Sequence, residues 1–271
     1  MLKALHSGAD ALILDLEDAV ADGQKPAARD AIAAFLASET PELPVFVRVN
    51  PLESDLIAAD LALVAAARPH GVVLPKSVGG SSVADLDRRL AALGNTDALI
   101  LPIATETPAA IFGLGTYGDA SARLCGLTWG AEDLPTAIGA ATSREADGRF
   151  TPPYEVARAL MLFGAHAAGV PAIEAVYPAI ADDAGLADYA SRGRRDGFAG
   201  MLAIHPRQVP IINEAFTPTS EEVAWAHRVV DAFAASPDAG ALRLDGQMLD
   251  RPHLTRARRL LDLSRPTAFR S

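Results

Sequence analysis

Seven apolar runs punctuate this chain, at 11–16, 45–49, 71–74, 98–104, 124–129, 172–176 and 201–204, and each is continuous rather than alternating. A strand with one wet face alternates apolar and polar residues, whereas an unbroken run is buried on both faces, as in parallel sheets covered by helices. The segments between the runs carry helical spacing and much alanine, at 26–37, 56–67, 82–93, 108–111, 154–168 and 185–192. Ser81-Ser82 and Thr151-Pro152-Pro153 read as helix starts. Strand and helix in alternation predict an α/β fold with a parallel sheet, closed or open. A closed barrel of this type takes eight strands, and Met1-Leu2-Lys3-Ala4-Leu5 already reads as a helix ahead of the first run. The expectation is therefore either a first strand preceding the given start or an open sheet.

Length and composition suit that architecture. The chain has 271 residues, half of them hydrophobic, and α/β barrels of about 250 residues routinely form one domain. The net charge is −10, and no basic run exceeds Arg194-Arg195, which argues against nucleic acid and anionic membrane surfaces as partners. A small anionic substrate then needs local cations or a metal to reverse the field inside its pocket. Cys125 is the single cysteine, so a disulfide framework and a thiolate metal cage are excluded, and its apolar neighbours predict an inert thiol. With no long apolar span and no signal-peptide pattern, the expected location is the cytoplasm.

The texture changes near Phe216. Thr217-Pro218-Thr219-Ser220-Glu221-Glu222 reads as a turn and helix start, leading into a helix over 223–235. A Pro/Gly-containing connection and a second helix around 254–263 follow. The predicted organisation is a barrel domain over 1–215 and a helical lid or oligomerisation segment over 216–271.

Polar residues gather where the runs end: Glu17 and Asp18, Arg48 and Asn50, Lys76, Glu106, Glu132 and Asp133, Tyr177, and His205. In a parallel α/β barrel the C-terminal strand ends share one rim, and catalytic groups collect there. Glu106 and Asp133 suit a hard divalent cation, since Mg²⁺ takes one or two carboxylates and fills its octahedron with water and substrate oxygens. No His/Cys cluster suggests zinc. Arg48, between Val47 and Val49, is costly in an apolar strand unless it is paired or faces a ligand. It reads either as an ion pair with Glu17 or Asp18, or as a clamp on a carboxylate or enolate oxygen. Lys76 reads as an ion-pair partner in the barrel mouth, His205 as a loop-bonding histidine, and Trp129 as packing beneath the loop that follows it.

Several segments resemble the citrate lyase β-subunit-like enzymes of the malyl-CoA lyase and HpcH/HpaI aldolase superfamily. They are Gly8-Ala9-Asp10-Ala11 through Leu16-Glu17-Asp18-Ala19-Val20, Val47-Arg48-Val49-Asn50-Pro51-Leu52, Leu74-Pro75-Lys76, Glu106-Thr107-Pro108, Leu127-Thr128-Trp129-Gly130-Ala131-Glu132-Asp133-Leu134, Ala203-Ile204-His205-Pro206 and Met248-Leu249-Asp250-Arg251-Pro252. The resemblance implies a (β/α)8 TIM barrel with a C-terminal helical lid, assembled as a homotrimer or hexamer. It implies Glu106 and Asp133 as Mg²⁺ ligands and Arg48 as the clamp on the oxo- or hydroxy-acid moiety. The Gly130, Ala131 and Glu132 backbone would hold the substrate carboxylate, and Asp250 would enter a neighbouring subunit's site as acid/base. Glu17 and Asp18 would support the site through Arg48 and metal-bound water. The activity implied is cleavage of a 3-hydroxyacyl-CoA such as (citra)malyl-CoA to acetyl-CoA and a 2-oxo acid. Citrate lyase β subunit, malyl-CoA thioesterase, 4-hydroxy-2-oxo acid aldolase and a non-catalytic binding subunit stay open beside it. Relative to the family pattern, an F-V-P-G-x-R-P-like start and its arginine are absent, Asp55-Leu56-Ile57 stands where P-W-G is frequent, and Gly200-Met201 replaces the usual lysine.

Overall fold

The computed structural model describes residues 2–38 and 43–263. Backbone contacts divide the chain into two compact units, Met1–Ile212 and Asn213–Ser271. No described helix is long and apolar enough to cross a membrane.

In the first unit every apolar run overlaps a strand: the strand at 71–74 fills its run, the strand at 200–201 begins one residue ahead of its run, and the other strands are shorter than theirs. The strands are β1 (Leu12–Asp15), β2 (Val45–Arg48), β3 (Gly71–Leu74), β4 (Leu99–Pro102), β5 (Leu127–Thr128), β6 (Ala172–Glu174) and β7 (Gly200–Met201). All pairings are parallel and follow chain order, β1-β2-β3-β4 and β5-β6-β7. The parallel bridges Ile100↔Leu124 and Ile103↔Thr128 link the two sets. Seven strands in consecutive order, each followed by a helix or helical turn, make the α/β barrel-type fold expected from the sequence. Among the described residues, no ladder joins β7 to β1.

Side chains alternate across each strand, so residues two apart share a face. Phe46 and Arg48 therefore lie on one face of β2, with Val45 and Val47 on the other. Phe46 packs with Val73, Leu101 and Ile103 in one buried cluster, and Arg48 stands one step further toward the strand's C-terminal end. Gly71 makes room for Phe46, because a Cβ there would lie 2.2 Å from its ring. An apolar plug thus sits below a polar rim.

The helices begin where capping chemistry allows. Thr107 accepts from the Ala110 N–H, with Pro108 in the first helical position, at the start of the helix Pro108–Gly113. Thr151 precedes Pro152–Ala167 with the same proline placement. The helix Gly80–Ala92 starts earlier than the serines suggest: Gly79 is its cap, and the Ser82 hydroxyl instead accepts from the Val78 N–H at 3.1 Å.

The second unit departs from the all-helical expectation. Its helices Ser220–Ala234 and Arg251–Leu263 flank an antiparallel hairpin, β8 (Ala241–Leu244) and β9 (Gln247–Asp250). The turn is Asp245-Gly246, with φ of 50° and 82°, the two left-handed residues that a two-residue hairpin loop demands. That Asp-Gly pair was the signal in the sequence. Ala226, Val229 and Phe233 of the first helix, Leu249 of β9, and Leu254, Ala257 and Leu260 of the last helix form this unit's core. The first helix carries a full capping box between Thr219 and Glu222.

Candidate active site

The ends of β1 to β5 bring Asp15, Glu17, Arg48, Lys76, Glu106 and Asp133 into one charged cluster. Lys76 contacts three of its acids. Its backbone N–H donates to Glu106 Oε2 at 2.6 Å, and its ammonium lies 3.4 Å from Glu17 Oε1 and 3.8 Å from Asp133 Oδ2. Lys76 has a φ of +52°, a left-handed conformation that a non-glycine residue holds only where its surroundings impose it. Glu106 is buried at 6% exposure. Burial, with the negative charges of Glu17 and Asp133, pushes its carboxyl up to about 8 despite the Lys76 amide.

Arg48 is ion-paired, though not with the expected partners alone. Asp15 takes it bidentately, Nε to Oδ1 at 2.7 Å and Nη2 to Oδ2 at 2.6 Å. Nη1 then lies 2.9 Å from Glu17 Oε2. The parallel register sets Asp15 opposite Arg48 across β1 and β2, so the pair is a product of strand pairing. Asp18 is exposed and acts only through its charge on Arg48, Glu17 and Lys76. Glu17 is 3% exposed, and neither carboxylate oxygen has a hydrogen bond of good geometry. Burial raises its pKa, while Arg48 and Lys76 pull it back.

Two buried networks support this rim. Below β1 and β2, the Lys25 ammonium donates to Leu16 O, Glu17 O and Asn50 Oδ1 at 2.9, 3.1 and 2.8 Å. Asn50 donates in turn to Asp60, which also pairs with Arg29 at 2.7 Å. All three Lys25 protons are used, which makes its burial tolerable. Under β5 and β6, fully buried Glu174 accepts from Trp129 Nε1 at 2.6 Å, Tyr189 OH at 2.7 Å, Arg158 Nε at 2.8 Å and Ala175 N at 3.0 Å. Trp129 is thereby fixed directly before Gly130.

Gly130 stands against Glu106: a Cβ there would come 3.1 Å from Glu106 Cγ and 3.3 Å from Oε1. Its N–H and C=O are both tied to the Thr105 hydroxyl. Ala131 is buried and Glu132 exposed, between β5 and the short helix Asp133–Ile138. Asp250 lies in the second unit, half-exposed, with Oδ1 2.5 Å from His253 Nδ1. His253 holds the Asp250 carboxyl below its ordinary range. Cys125 is half-buried, its Sγ on Ile100 O at 3.3 Å, and burial pushes the thiol up to about 11. His205 accepts the Arg207 N–H at Nδ1, a loop role.

Asp15 and Glu174 are the residues that sequence reasoning passed over. Both sit inside or at the end of apolar runs, the same anomaly that singles out Arg48, and both turn out to be the carboxylates that neutralise arginines, half-buried Arg48 and buried Arg158. Lys25 and Asp60 left no such signal, because a charged residue on a helix usually faces water.

A cation fits this place chemically. Glu106 is short of positive charge, with Glu17 and Asp133 facing it and one lysine among them. Glycine at 130 leaves its carboxylate uncrowded. Among the described residues no three His, Cys, Asp or Glu side chains form a common metal cluster. Glu106 and Asp133 would therefore hold an ion that completes its shell with other oxygens, which is the habit of Mg²⁺.

Comparison with known proteins identifies the family. The family model of HpcH/HpaI aldolase/citrate lyase matches residues 1–206. A citrate lyase subunit beta-like protein of Mycobacterium tuberculosis is 37% identical over 257 residues, which cover 94% of this chain and 88% of that protein. A (3S)-malyl-CoA thioesterase of Cereibacter sphaeroides is 33% identical over 270 residues, covering 96% and 88%. Among solved structures, CitE from M. tuberculosis in complex with magnesium, acetoacetate and coenzyme A superposes with a TM-score of 0.79 at 35% identity, over 95% of this chain and 91% of that one. The chain belongs to the HpcH/HpaI aldolase/citrate lyase family.

Proposed function

We propose that this protein is a Mg²⁺-dependent carbon–carbon lyase that cleaves a 3-hydroxyacyl-CoA such as (citra)malyl-CoA to acetyl-CoA and a 2-oxo acid. The observation that carries the reading is the convergence of Glu106, Asp133 and Glu17 on Lys76, with Arg48 joined to the same cluster through Glu17. Membership of the family and likeness to a structure holding magnesium, acetoacetate and coenzyme A support it.

Cleavage breaks the bond between C2 and C3. The C3 hydroxyl gives up its proton to water and becomes the carbonyl of the 2-oxo acid, and the bonding pair moves to C2 as a thioester enolate. A proton then returns to C2. Glu106 and Asp133 would hold a Mg²⁺ ion, which when bound would supply Lewis acidity to the acid end of the substrate. Arg48, kept rigid by Asp15, places a fixed positive charge where negative charge develops on oxygen. The Gly130–Glu132 backbone, anchored through Thr105 and Trp129, orients the substrate carboxylate. Asp250 of a second copy of the chain returns the proton to C2, which makes the active form a homo-oligomer.

The test is an assay of malyl-, citramalyl- and citryl-CoA with Mg²⁺ or EDTA, with products identified by mass. Arg48→Ala and Glu106→Ala are each expected to lower kcat more than about 100-fold. Rates near wild type would refute the reading. A thioesterase reading has its own support in the 33% identical malyl-CoA thioesterase. Free malate and CoA as the products, in place of acetyl-CoA and glyoxylate, would decide for it.

A further inference from the structure

Lys76 does something in this cluster that the reaction above does not use. Among the described residues it is the one that touches all three acids: Glu106 through its backbone N–H, and Glu17 and Asp133 through its ammonium. Its left-handed backbone lets the amide face Glu106 while the side chain turns to the other two. Glu17 is buried, without a well-directed hydrogen bond on either oxygen, so its only compensation is the two cations beside it, Arg48 and Lys76. Arg48 is also committed to Asp15 by two short bonds. Lys76 is not so committed: its contacts with Glu17 and Asp133 are longer, and its side chain is 35% exposed.

We propose that the Lys76 ammonium is a resident counter-ion of this acid cluster, competing with a divalent cation for Asp133 while its backbone amide holds Glu106 in place. The inference rests on the reading of Glu106 and Asp133 as the cation ligands. An ammonium 3.8 Å from Asp133 Oδ2 stands on the side from which an incoming ion would reach that carboxylate, and its charge repels that ion at close range. Loading the site moves the ammonium off Asp133, and Glu17 remains as its partner. Lys76 is thus a positioning residue that weakens cation binding and keeps the acids assembled when no ion is bound.

The experiment is calorimetric titration with MgCl₂ at fixed pH of the full-length wild type, Lys76→Met, Lys76→Gln, Lys76→Arg and Glu106→Gln. Thermal melts in EDTA accompany it, and far-UV circular dichroism establishes folding. Both neutral variants are expected to bind Mg²⁺ at least about fivefold more tightly than wild type and to melt lower in EDTA. Lys76→Arg, which keeps the charge, is expected to stay within about twofold of wild type. A residue that merely shaped the site would weaken Mg²⁺ binding when removed. Unchanged or weaker Mg²⁺ binding in a folded Lys76→Met or Lys76→Gln would overturn the proposal. If Glu106→Gln abolishes binding at the same time, only the role of Lys76 falls. A wild type that binds no Mg²⁺, or a Glu106→Gln variant that binds as well as wild type, removes the cation site and the proposal with it.

Discussion

Glu174→Ala tests how the fold holds the loop before the cluster. Glu174 is fully buried, and its main partner Arg158 has a side chain only 6% exposed. Removing the carboxylate leaves a guanidinium in the core with Asp196, at 2.8 Å, as its one remaining acid. Breaking a buried pair on one side costs about 3–5 kcal/mol, and the orphaned Trp129 and Tyr189 donors each add about 1 kcal/mol. The residual Asp196 contact offsets part of this, so the expected loss is about 4 kcal/mol. A shift of about 2–4 °C per kcal/mol applies to a unit of this size, which places the melt of the first unit about 8–16 °C lower. Urea denaturation followed by tryptophan fluorescence measures it. The double variant Arg158→Met/Glu174→Leu removes both charges and fills similar volume, so it is expected to recover at least half of the loss. A single variant losing under about 1 kcal/mol would refute the reasoning. So would a double variant no better than the single.

Gly113→Ala is expected to destabilise by more than about 2 kcal/mol in chemical denaturation, because its Cβ would lie 2.0 Å from Val78 O, whereas Gly115→Ala, with open space around it, should be nearly neutral. Asp15 supplies a pH dependence: burial opposes its ionisation, but Arg48 and the Glu17 and Ala19 amides hold its pKa below 3.8. A depressed carboxyl adds stability that is present above the unfolded pKa and lost as pH falls through the folded one; acid denaturation of Asp15→Asn should lack that part of the slope, and an unchanged slope would count against the pairing. Gly246→Ala places a side chain at φ +82° in the β8–β9 turn and is expected to lower the stability of the second unit by about 1 kcal/mol, read as faster amide exchange across β8 and β9.

Much of this protein was legible in one dimension, because burial on both faces of a parallel strand writes an unbroken apolar run, and strand ends write the polar residue that follows. Runs 45–49 and 71–74 contain β2 and β3, and Glu17, Arg48, Lys76, Glu106 and Asp133 stand at or just beyond strand ends. At 124–129 and 201–204 the regular strand is only two residues long, because apolar composition also marks buried connections beside the ladder. The β8–β9 hairpin lies in a stretch whose composition reads as a connection, although Asp245-Gly246 carries its turn chemistry.

Partnership was decided only in three dimensions. Arg48 declares by its place in an apolar strand that it needs an anion, and the sequence points to Glu17 or Asp18, whereas the bidentate partner is Asp15. The register that sets Asp15 opposite Arg48 selects that carboxylate for bidentate pairing. Glu174 meets Arg158, Trp129 and Tyr189 from separate elements far apart in the chain, and no local pattern encodes such a meeting. Hydrophobic burial has a period and so marks the sequence, whereas charge compensation depends on distance and is settled when the strands come side by side.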